Sequence, residues 1–173
     1  MKIDFRQIII DHFSTLRDDR SGRLSLFDIF VFFIIPICLG IAAWRYKLTF
    51  DRDVYNVAIT FFGIFVALLL NVQVAIFGIF QRKPEAPVDA RLMTKFETRL
   101  ATRKSLLSEL NANLSYLCFV CCIALVVFIS FYTLKENRPV STGITLLLFS
   151  HFLVTLLMTV KRTHILFQQE YRS

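Results

Sequence analysis

Residues 68–87 read LLLNVQVAIFGIFQRKPEAP. Through Phe80 this is sequence for the interior of a bilayer, uncharged but holding two amides, Asn71 and Gln73; from Gln81 it turns basic and proline-rich. A chain that crosses lipid must satisfy its own backbone N–H and C=O groups, which a helix does within one segment. About 20 apolar residues at 1.5 Å each cover the hydrocarbon core. The uncharged run that ends here starts at Val54, so it is long enough to cross.

Working outward, three more such runs appear: Ile29 to Trp44, Asn111 to Leu134 and Val140 to Val160. Hydrophobic residues make up 55% of the 173, with 19 Phe, and only 19% are charged, a balance foreign to a water-soluble domain. The expected fold is all-α: a polytopic membrane protein with four transmembrane helices, an amphipathic N-terminal helix and a helical cytoplasmic extension of the third span. Its segments are a cytoplasmic amphipathic helix (1–23), a first transmembrane hairpin (24–80), a cytoplasmic linker and basic helix (81–110), a second hairpin (111–160) and a cytoplasmic tail (161–173).

The first span is the shortest. Leu24, Leu26 and Phe27 extend it, Ser25 and Asp28 have the spacing of a capping box, and Pro36 should kink it. Upstream, Phe5, Ile8, Ile9, Phe13 and Leu16 share one helical face, to lie on the inner leaflet or on the extension of the third span. Asp4, Arg6 and Asp11 interrupt the apolar residues there, so no cleaved signal is predicted. Orientation follows from charge. Of the 20 lysines and arginines, 15 lie up to and including Arg23, between Gln81 and Glu109, or from Lys161 on, which puts both termini and the middle segment on the cytoplasmic side of a bacterial inner membrane. Trp44, Tyr46, Tyr55 and Tyr132 fall at the opposite ends of the spans, where aromatic belts form.

The amides are two residues apart, hence about 200° apart around a helix, so one neighbour cannot satisfy both. The reading preferred here is that one pairs inside the four-helix bundle and the other across a subunit interface, making a homo-oligomer, with Gly63 and Gly78 easing the approach of helices. The sharper reading has Asn71 and Gln73 line a pore or cavity. His151, near the middle of the fourth span, keeps it open, although a neutral His bonded to a nearby hydroxyl is also a structural device. Cys118, Cys121 and Cys122 lie inside the third span, and with Cys38 they read as packing residues rather than metal ligands.

Between Pro87 and the third span there is no Pro or Gly, and Met93, Phe96, Leu100, Leu107, Leu110 and Leu114 follow alternating three- and four-residue steps, broken only at Arg103. This predicts one helix from Val88 to Leu134. Arg91, Lys95, Arg99 and Arg103 recur every four residues beside that stripe, with Lys104 adjacent. Such a face is a solvated surface, a contact for anionic lipid, or a docking surface for an acidic partner; with Phe96 these residues are the candidate partner-binding set. No DNA-reading motif accompanies the charge, and direct nucleic-acid binding is not expected.

No nucleophile and base occur at a catalytic spacing, no glycine-rich phosphate loop is present, and His12, His151 and His164 are spread over different segments. The sequence therefore predicts no enzyme, no catalytic or metal-binding residues and no cofactor. In layout the chain resembles the membrane-subunit (KwaA) family of the Kiwa bacterial anti-phage system; the stretches that carry this are LLLNVQVAIFGIF running into QRKPEAP, LLSELNANLSYLCFV, and HFLVTLLMTVKRTHILF. The resemblance implies an oligomeric inner-membrane sensor of phage attack that works with a cytoplasmic DNA-binding partner of the KwaB type. From the residues themselves the expectation is a membrane scaffold that presents a basic helix to a soluble partner. The alternative is a small pore-forming effector.

Overall fold

From Arg52 to Gln81 the chain forms a single 30-residue helix, about 45 Å long, in the computed structural model, which describes residues 5–14, 30–81 and 89–171. The described residues are helical apart from short links. α1 is Phe5–Ser14; α2 is Phe30–Arg45, whose first turn, Phe30–Ile34, is a π-helix; α3 is Arg52–Gln81; α4 is Ala90–Leu134; and α5 is Pro139–Tyr171. Three helices are long and apolar enough to cross a membrane, α3, α4 and α5, while α2 is shorter. The capping box at Ser25 and Asp28, Leu16, and the start of the first span all lie outside the described residues.

Two tight links set the pairing. Tyr46 closes α2, Lys47 follows at φ 54°, and α3 begins five residues later; Lys135 caps α4 at φ 52°, and Pro139 opens α5. Both links lie at the same end of the molecule: the Phe50 N–H donates to Thr142 Oγ1 at 2.9 Å, and the Arg52 guanidinium sits 4.0 Å over the Tyr132 ring. Tyr55 is there too, yet it is not part of an interfacial belt. It is fully buried and donates to Ser141 Oγ at 3.2 Å, because the apolar faces of α3, α4 and α5 close around it; Trp44 and Tyr46 are the exposed rings.

α3 packs along α4, α2 along α5, and the two pairs meet where α4 touches α5. At the α2–α5 crossing Gly40 faces Gly143, and a Cβ on Gly143 would stand 2.7 Å from the Gly40 carbonyl oxygen. Gly63 and Gly78 ease no contact between described helices of one chain: a Cβ on either would meet nothing within 4 Å, since both sit on the open side of α3. The centre is filled by phenylalanines, Phe61, Phe62 and Phe65 of α3 against Phe128, Phe149 and Phe152, with centroids across helices 4.8–5.8 Å apart in tilted and edge-on geometry.

α4 is continuous for 45 residues, about 67 Å. Its start is Ala90 rather than Val88, because the Asp89 carboxylate caps it by accepting from the Arg91 N–H at 2.9 Å. Along it Leu107, Leu110, Leu114, Leu117, Cys121, Ala124 and Phe128 are all buried, a strict three- and four-residue alternation facing α3 and α5. From Arg91 to Leu106 no side chain is buried.

Candidate functional site

Pro36 begins the local story. Having no N–H, it cannot supply the usual partner for the carbonyl four residues earlier, that of Phe32, and the π-turn at Phe30–Ile34 loosens this part of α2. His151 of α5 takes that carbonyl: its Nδ1–H donates to Phe32 O at 3.1 Å. A carbonyl only accepts, so the proton is on Nδ1 and Nε2 is left as an acceptor. The Tyr116 hydroxyl of α4 donates to it at 2.8 Å. Both imidazole nitrogens of His151 are thus matched, and its partner hydroxyl is a tyrosine on another helix rather than its neighbours: Ser150 bonds back to Leu146 O, and Thr155 to the His151 carbonyl.

The same tyrosine meets the second histidine. His12 of α1 lies flat on the Tyr116 ring, centroids 3.8 Å apart and planes within 2°, and its Nδ1–H donates to Asn113 Oδ1 at 2.8 Å. Histidines that the sequence spreads over different segments are thus brought to one buried layer, His12, Asn113, Tyr116 and His151, tying α1, α2, α4 and α5 together. Phe5 stacks on Phe119 and Phe13 on Phe33, so α1 runs antiparallel to α4 and wedges against both α4 and α2. Sequence reasoning singled out His151; the signal for its partner was Pro36, four residues beyond Phe32.

The two amides part company as their angular separation requires. Gln73 turns inward: its Nε2 donates to Ser115 Oγ at 2.8 Å, and Cys118 Sγ lies 3.7 Å from its Oε1. Asn71 is exposed on the open side of α3, the side that also carries Gly63 and Gly78. Among the described residues Asn71, Gln73 and His151 accordingly face three different environments.

On the extension of α4, Arg91, Lys95, Arg99 and Lys104 are exposed, and Phe96 and Arg103 half-buried. A groove of about 860 Å³ follows this face, lined in part by Arg91, Leu92, Lys95, Phe96 and Arg99. Of the apolar stripe predicted from the sequence, Phe96 thus shares this surface with the cations. Among the described residues no cluster of His, Cys, Asp or Glu has metal-binding geometry, and the four cysteines are free, only Cys121 being buried.

Fold and surfaces together define a helical protein of membrane type with a basic helical extension. Compared with known proteins, the chain matches no family model, no curated protein and no solved structure.

Proposed function

We propose that the chain is a four-span inner-membrane scaffold, both termini cytoplasmic, that self-associates and holds a soluble acidic partner on the basic extension of α4. The observation that carries this reading is the change in α4 at Leu107. On one side its seam is buried; on the other the same helix continues for more than four turns with no buried side chain and a row of exposed cations. An unpacked helix of this length is marginal in water, which favours a partner that covers it in the working state.

Self-association is assigned to the open face of α3. Asn71 there is exposed to what would be lipid, and an amide in lipid gains about 1 to 2 kcal/mol from a hydrogen bond to another helix. Continuity of α4 supplies the mechanism: a shift in how the spans pack moves a rigid rod, and the rod moves the partner. The setting in phage defence, and a DNA-binding partner of the KwaB type, rest on the resemblance of layout alone. The pore reading is disfavoured by the separate environments of Asn71, Gln73 and His151.

The test is an affinity pull-down of the detergent-solubilised protein expressed with its neighbouring genes, with the complex weighed by light scattering. Wild type should retain a stoichiometric soluble partner that Arg91→Glu, Lys95→Glu and Arg99→Glu together release. An oligomer with no partner, indifferent to charge reversal, would sink the proposal.

A further inference from the structure

The buried seam of α4 does not stop where the bundle stops. Counting back from Leu107 in the same three- and four-residue steps gives Arg103, Leu100, Phe96 and Met93. These are the positions that a facing helix would fill if the bundle were longer. Yet Met93 is 39% exposed, and beside it Leu92 is 50% exposed. Apolar side chains in heptad register on a projecting helix are a helix-binding seam, and the groove beside it shares Phe96 with it.

Charge decides what kind of helix. Between Arg91 and Lys104 there are five cations and one acid, Glu97. Were two extensions to pair in parallel, Arg103 would face Arg103 in the seam, and Arg99 would face Lys104 across it. A second copy is therefore repelled, whereas glutamates or aspartates flanking an apolar stripe would meet Arg99 and Lys104, the cations beside the seam, and Arg103 within it.

We infer that the seam Met93, Phe96 and Leu100 docks an acidic amphipathic helix of the partner, which extends the register of the membrane bundle into the cytoplasm. This rests on the proposed recruiting role of the extension and adds that the recruited element is a helix read by its apolar stripe, not by charge alone.

The experiment uses the full chain in nanodiscs and three labelled three-heptad peptides, with binding followed by fluorescence anisotropy. The first has leucine at its seam positions and glutamate beside them; the second keeps the glutamates and has serine in the seam; the third keeps the leucines and has lysine for glutamate. The first should bind, and the other two at least about tenfold more weakly. Phe96→Ser with Leu100→Ser should release the first peptide while leaving the protein's helix content and monodispersity unchanged. Equal binding of the first two peptides, together with loss of both on charge reversal, would overturn the seam while sparing charge-based recruitment. Binding of none would overturn both readings. Binding only after residues 165–173 are removed would make the chain's own tail the occupant and overturn the proposal.

Discussion

His151 shows how a costly group becomes structural. An imidazole inside a membrane is tolerated when both nitrogens are matched, and here one carbonyl and one hydroxyl match them. His151→Leu should lose about 1 to 2 kcal/mol of stability, read by SDS or thermal unfolding in detergent, because two interhelical bonds disappear at once. Tyr116→Phe, which removes only one, should lose roughly half as much. If Pro36 is what leaves Phe32 O needing this partner, Pro36→Ala supplies an N–H and His151→Leu becomes milder in that background; equal losses in both backgrounds would refute the link. The residue layer was only half legible in the sequence. His151 announces itself by being ionisable in an apolar run, and Pro36 by its type, but that they address the same carbonyl follows from how α5 lies on α2. His12 carries no such signal. In sequence it is one polar residue on an amphipathic helix, and only the antiparallel docking of α1 on α4 lays it on Tyr116.

At the scale of elements, periodicity and composition reveal helices well and their neighbours poorly. The uncharged runs, the two short links and the continuous extension are all readable, since each follows from what one segment needs in lipid or water. Which glycines matter depends on which faces meet. Gly143→Ala should separate α2 from α5, because the new methyl would meet the Gly40 carbonyl, a backbone atom that cannot step aside; the expected loss is about 1 to 3 kcal/mol. Gly63→Ala and Gly78→Ala should leave the monomer's unfolding unchanged, having open space around them. The rigid-rod mechanism is tested within α4 itself. A Gly-Gly insertion between Ala101 and Thr102 leaves the buried seam from Leu107 to Phe128 intact and breaks the rod below it. Partner capture should then survive while any response that depends on the spans is lost; an unchanged response would mean that the extension is a tether and not a lever.

For the molecule as a whole, the open side of α3 is the feature that one chain leaves unfinished. Among the described residues one face of α3 packs on α4 and reaches the α5 rings Phe149 and Phe152, while its far side carries large apolar residues, Val74 being 72% exposed, around a single amide. Lipid accepts the apolar residues without penalty, so they say nothing about a partner. Asn71 is different, because its side chain is both a donor and an acceptor and is therefore complementary to its own copy across a two-fold axis. Gly63 and Gly78 flank it at a distance of about two turns on either side and would let two such helices approach closely. Self-association through this face should be measurable as energy transfer between labelled chains in liposomes at increasing dilution in lipid. Asn71→Leu should shift the midpoint about tenfold toward higher protein density, the equivalent of one amide bond pair in lipid, and Gly63→Ile should do so by steric bulk; neither should alter monomer unfolding. Should Asn71→Leu leave the dilution curve in place while Gly143→Ala moves it, the contact between copies lies along α2 and α5 and the amide is satisfied by water or headgroups at the inner boundary.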